Sequence, residues 1–142
     1  MKNNDKQARY DRVYLQMAVQ WSSLSYAQRK KVGALIVKEG MIISDGFNGT
    51  PTGFSNVCED ENGKTFWYVL HAEANAIAKI AKSNHSSLGA TLYLTLSPCK
   101  ECAKLILQAG ITRVVFLEKY RDESGLLFLD QANIIWEHFS DF

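Results

Sequence analysis

Two short stretches hold the residue types that metal-assisted hydrolysis uses. One is His71-Ala72-Glu73; the other, whose first cysteine lies 28 positions beyond the histidine, is Pro98-Cys99-Lys100-Glu101-Cys102. Zinc prefers thiolate and imidazole in a tetrahedral shell. Three protein ligands, here His71, Cys99 and Cys102, leave the fourth place for water, whose pKa the metal lowers toward ~7. Glu73 follows the histidine by two residues, badly placed to ligate and well placed to move protons. General acid–base help of that kind is worth roughly 10²–10⁴-fold in rate. The asymmetry favours a catalytic zinc over a structural one.

Other readings of the same residues remain open at this point. A lone C-x-x-C can be a thioredoxin-like redox pair, since such pairs also sit at helix N-termini. That reading leaves His71-Ala72-Glu73 without a purpose. A structural zinc needs a fourth protein ligand, which Cys58, His85 or His138 would have to supply. His85 lies in a polar stretch read as solvated loop, and His138 in a strand read as sheet surface. Cys58 is the serious competitor, because a long loop carries it and could fold over the metal.

The elements that must position these residues follow from periodicity. Tyr10, Val13, Tyr14, Met17, Trp21 and Leu24 recur at helical spacing, which predicts a first helix over about 6–27 with that stripe facing the core. Residues 32–37 and 41–44 read as a β-hairpin around Lys38-Glu39-Gly40. Residues 46–62, rich in Gly, Asn, Pro, Thr and Ser, read as a long loop that shapes a site. An alanine-rich helix is expected over 71–82, a strand over 91–95, and a helix over 98–108 with Pro98 near its first position and Gly110 as its stop. A near-continuous apolar strand over 113–117 implies burial on both faces in a parallel region. A short helix over 125–132 and a strand over 134–139 complete the chain. The order α-β-β-α-β-α-β-α-β predicts a single α/β domain, a three-layer α/β/α sandwich around a five-stranded mixed sheet. Cys99 and Cys102 then share one face at a helix N-terminus, where unpaired N–H groups and the dipole favour thiolates.

Composition excludes several classes. With 142 residues, 46% hydrophobic and 22% charged, the chain suits one soluble domain. A formal charge of +1 gives no polyelectrolyte character, so long nucleic acid is a poor partner. No apolar run approaches the ~18 residues of a spanning helix, so no membrane partner is expected. The polar start Met1-Lys2-Asn3-Asn4-Asp5-Lys6 lacks the core of a secretion signal. Three cysteines, an odd number, make a poor disulfide framework and suit a reduced, cytoplasmic metal protein.

H-x-E followed by P-C-x-x-C is the signature of zinc deaminases. The wider text around it, Leu70 to Ile77 and Thr95 to Ile106, with Val32-Gly33-Ala34 and Gly46-Phe47-Asn48-Gly49-Thr50-Pro51-Thr52-Gly53, resembles the deoxycytidylate (dCMP) deaminases over about Tyr10 to Ala132. The resemblance implies hydrolysis of the 4-amino group of dCMP, giving dUMP and ammonia and feeding dTMP synthesis, with one catalytic Zn²⁺ per chain and Glu73 as proton shuttle. It implies Asn48 at the sugar, Tyr120 at the phosphate end, and Ala72 and Ser97 as further substrate contacts. It also implies a homo-oligomer, with a hexamer favoured, activated by dCTP and inhibited by dTTP with Mg²⁺. The cysteines that hold a second, structural zinc in some relatives align with Ala27 and Val57, neither of which can bind metal. Cys58 is then a free thiol. Competing expectations are deamination of another amino-base (cytidine, free cytosine, dCTP, guanine or a tRNA adenosine), or a catalytically inactive, zinc-stabilised nucleotide-binding module.

Overall fold

A computed structural model describes residues 3–140, and the first and last two residues lie outside that description. Nine elements follow in the expected order: α1 (Asn3–Ser22), β1 (Gly33–Lys38), β2 (Met41–Phe47), α2 (Ala72–Ala81), β3 (Thr91–Leu96), α3 (Lys100–Gln108), β4 (Arg113–Glu118), α4 (Ser124–Gln131) and β5 (Ile135–His138). The strands form one sheet in the order β2-β1-β3-β4-β5. β1 runs antiparallel to β2 and β3, whereas β3, β4 and β5 are parallel, so the sheet is mixed. β4 lies between two parallel neighbours with Val114, Val115 and Phe116 fully buried, as its unbroken apolar run requires.

Alternate side chains of each central strand serve two cores. Ala34, Ile36, Leu92, Leu94, Val114 and Phe116 meet α2, α3 and α4 on one face. Leu35, Val37, Tyr93 and Val115 meet Leu15 and Ala18 of α1 on the other. The three layers are therefore unequal, one helix against three.

Three local expectations need correction. The stripe predicted to face the core from α1 is largely outside: Tyr10, Val13, Met17 and Leu24 keep between 42% and 49% of their surface exposed. Leu15 and Ala18 face the sheet instead, together with a charged residue, Asp11. Asp11 accepts hydrogen bonds from Gln7 (3.0 Å), Tyr93 Oη (2.6 Å) and both terminal nitrogens of Arg113 (3.0 and 2.7 Å). A carboxylate so satisfied can lie in an interior that would otherwise reject it, and the helix turns toward the sheet the face that carries it. Second, α1 stops at Ser22 rather than near residue 27. The hydroxyls of Ser22 and Ser23 donate to the carbonyls of Val19 and Gln20, and the last turn tightens through backbone bonds three residues apart. Serine competes with helix continuation in this way, and residues 23–32 become an irregular strap. Third, Pro98 lies one residue before the N-cap of α3, because Cys99 occupies the cap itself.

Candidate active site

Each metal-binding candidate stands at a helix start. His71 is the N-cap of α2, with an extended backbone (ψ 159°) and no capping bond from its own side chain, so the imidazole is free to turn away from the helix. Cys99 is the N-cap of α3 (ψ 170°), and its sulfur accepts from the Cys102 amide at 3.5 Å. Two glycines allow these starts to come this close. A Cβ on Gly46 of β2 would sit 2.4 Å from the Ala72 carbonyl oxygen, and one on Gly125 of α4 would sit 2.1 Å from the Pro98 carbonyl oxygen. Only hydrogen fits either gap.

His71 Nδ1 lies 3.3 Å from Cys102 Sγ and 3.6 Å from Cys99 Sγ. Zinc bonds of roughly 2.3 Å to sulfur and 2.0–2.1 Å to nitrogen, at tetrahedral angles, set N···S edges of about 3.6 Å. The donor set fits the ion. Among the described residues no fourth His, Cys, Asp or Glu joins this cluster, whose donor atoms lie within 4.8 Å of one another. Cys58 stays outside it as a buried thiol whose pKa is raised by burial and by the charge of Glu59. His85 is exposed, and His138 stacks on Phe116 with Nε2 2.9 Å from the Leu117 carbonyl oxygen. The structural-zinc reading thus lacks its fourth ligand. Three donors would leave one position of a tetrahedral zinc shell for water.

Glu73 follows in the first turn of α2, 3% exposed. Burial pushes its carboxyl up to about 7, with the Cys102 thiol as a hydrogen-bonding neighbour. The Cys99 thiol is pulled down to about 4, first by the hydrogen bond from Cys102 and then by His71. Cys102 moves the opposite way, first because its thiol proton is held in the hydrogen bond to Cys99 and then because it is buried.

His71, Glu73 and Cys99 open into one cavity of about 340 Å³, a size suited to small-molecule ligands. Asn48, Ala72, Ser97 and Tyr120 line it as well, and Cys102 lies buried behind its wall. Two of these side chains also hold the cavity together. Asn48 Oδ1 accepts from the Val32 amide (2.9 Å) and Nδ2 donates to the Lys30 carbonyl (2.8 Å), leaving one amide hydrogen and one lone pair for another partner. Ser97 Oγ accepts from the Tyr120 amide at 2.7 Å and so sets the loop after β4.

Residues that the sequence reading did not single out complete the wall. Arg29 and Lys30 come from the strap, Arg121 from the loop after β4, and Glu59 from the long loop. Lys30 pairs with Glu118, whereas neither arginine has an acidic salt-bridge partner among the described residues. The run Arg29-Lys30-Lys31 was the available signal. It lies just past the end expected for the first helix, in a segment with no periodicity to say which way its side chains face.

Comparison with known proteins agrees with this geometry. Residues 8–118 match the family described as "Cytidine and deoxycytidylate deaminase zinc-binding region". Human deoxycytidylate deaminase is 33% identical over 97% of this chain and 84% of its own length. The deoxycytidylate deaminase of enterobacteria phage T4 is 36% identical over 75% of this chain and 76% of its own. A crystal structure of dCMP deaminase from the cyanophage S-TIM5, in complex with dCMP and dUMP, superposes with a TM-score of 0.88 at 43% identity, covering 97% of this chain and 98% of that one. The matched region holds the His-Cys-Cys cluster and Glu73, and the likeness extends over nearly the whole chain. On sequence, fold and metal-binding geometry together, this chain belongs to the zinc-binding cytidine and deoxycytidylate deaminase family.

Proposed function

We propose that the chain hydrolyses the 4-amino group of dCMP, releasing ammonia and dUMP. The observation that carries this reading is a His-Cys-Cys donor cluster and a buried carboxylate outside it, opening into one cavity that Arg29 and Arg121 also line. Likeness to the cyanophage enzyme, crystallised with dCMP and dUMP, supports the substrate.

His71, Cys99 and Cys102 would hold zinc, which would supply a Lewis acid and a water of lowered pKa. Glu73 is the proton carrier. Buried and poised near neutrality, it can take one proton from the attacking water and deliver it to ring nitrogen N3, then take a second from the new C4 hydroxyl and pass it to the departing 4-amino group. The amide of Ala72 lies in the first turn of α2, where backbone N–H groups have no helical acceptor, and it suits the ring carbonyl. The remaining hydrogen and lone pair of Asn48 match a sugar hydroxyl. Arg29, Arg121 and Tyr120 serve the phosphate, with arginine's fork matched to phosphate oxygens.

The same proposal includes a homo-oligomer, with a hexamer favoured, and control by dCTP and by dTTP with Mg²⁺. The exposed apolar side of α1 supports association. No helix is long and apolar enough to cross a membrane among the described residues, and we place the enzyme in the cytoplasm. Ammonia release from zinc-loaded protein, with dCMP and deoxycytidine and with each effector, tests the reading. We expect dCMP to exceed deoxycytidine at least tenfold in kcat/KM, from about 1.4 kcal/mol of phosphate binding. Equal turnover of the two would remove the phosphate from the proposal.

A further inference from the structure

We propose that Glu59 is a positioning residue that aims Arg29 at the substrate's phosphate by gripping the backbone of the strap; this rests on the reading that Arg29 meets that phosphate. Residues 23–32 carry no helix or strand, yet they supply Ala27, Arg29, Lys30 and Val32 to the cavity wall. A segment without a hydrogen-bond ladder needs other partners for its buried backbone groups, and side chains from the long loop provide them. Asn48 takes the Lys30 carbonyl and the Val32 amide. Glu59 takes the two amides just before them: Gln28 N–H and Arg29 N–H both donate to the same oxygen, Oε2, at 2.9 and 3.2 Å.

The placement of this acid is otherwise hard to explain. Glu59 is 9% exposed in a cavity read as receiving a phosphate, where a second anion is a cost. A short antiparallel bridge to Thr65, beside the Phe66 N–H to Cys58 carbonyl bond (2.9 Å), holds it inward. Hydrogen bonds from backbone N–H to a carboxylate are roughly twice as strong as neutral ones. They spend the charge on the strap and fix the point from which the Arg29 side chain departs. Displacing a positioning group by about 1 Å can cost on the order of 10²-fold in rate, so a weakened grip should register in substrate affinity.

The test is a double-mutant cycle on zinc-loaded enzyme: wild type, Glu59→Gln, Arg29→Ala and the double variant, with kcat and KM measured for dCMP and deoxycytidine. Glutamine keeps the shape and loses the charge. We expect Glu59→Gln to raise the KM for dCMP roughly tenfold, with kcat changed far less, and to add nothing further once Arg29 is alanine. Amide exchange at Gln28 and Arg29 should speed up in the same variant. Should Glu59→Gln raise KM by the same factor with and without Arg29, the carboxylate acts elsewhere and the positioning role is overturned. Should Arg29→Ala raise the KM for dCMP no more than that for deoxycytidine, it is the phosphate reading that fails. Zinc content reports folding of each protein, and Glu59→Asp, which keeps the charge and draws the strap inward, replaces the glutamine variant if that one is unfolded.

Discussion

Glu73 and Cys58 show how environment decides what a side chain can do. Both are buried beside the same cavity, and burial raises the pKa of each. For a carboxylate the shift ends near neutrality, where proton exchange is efficient. For a thiol it ends further from the thiolate that zinc requires. Glu73→Gln is therefore expected to keep fold and bound zinc while kcat falls by roughly 10²–10⁴-fold, read by metal analysis and ammonia release on one preparation. Full activity in that variant would exclude Glu73 as the shuttle. His71→Ala or Cys99→Ala should lose metal and thermal stability together, since binding of the ion is coupled to folding of its ligands.

Among the elements, the ends of helices matter more than their lengths. The starts of α2 and α3 aim His71 and Cys99 at each other, and α4 closes over the second of these with Gly125 against the carbonyls of Pro98 and Cys99. Backbone cannot yield there as a flexible side chain would. Gly125→Ala should destabilise the protein by about 1–3 kcal/mol, as overpacking does. It should also weaken zinc binding by displacing the start of α3. Thermal melts with and without zinc separate the two effects. An unchanged zinc affinity would show that α4 does not set the position of Cys99.

Over the whole molecule, one buried ion pair joins the lone helix layer to the sheet. Burial pushes the Asp11 carboxyl up, but hydrogen bonds from Arg113, Tyr93 and Gln7, with the Arg113 charge, hold it below its ordinary value. A depressed pKa means that the unfolded chain binds more protons than the folded one in that range. The stabilisation is therefore fully present above the unfolded value near ~3.9 and fades as pH falls through the folded one. Asp11→Asn should cost about 3–5 kcal/mol at pH 7, toward the lower figure because Glu137 remains 3.4 Å from Arg113. The difference from wild type should shrink below about pH 4, which urea unfolding at several pH values measures. On the outer side of α1, Met17→Glu should shift sedimentation to smaller species if copies meet there. A monomeric wild type would end that reading.

Much of the site and most of the fold were legible along the chain, because they depend on local physics. Donor types and spacing specify the metal, alternation and helical period specify the elements, and Asn48-Gly49 with Thr50-Pro51 marks the long loop. The placing of α1 was not legible: the helix carries apolar residues on more than one side, and only the partners awaiting Asp11 on β3 and β4 decide which side turns inward. Nor was the convergence of Arg29, Glu59 and Arg121, which come from three aperiodic segments brought together by the fold. Sequence by itself determined what chemistry the chain can perform, since that rests on near neighbours. Tertiary structure alone decided what surrounds the reacting groups, since a wall assembled from distant segments has no period to read.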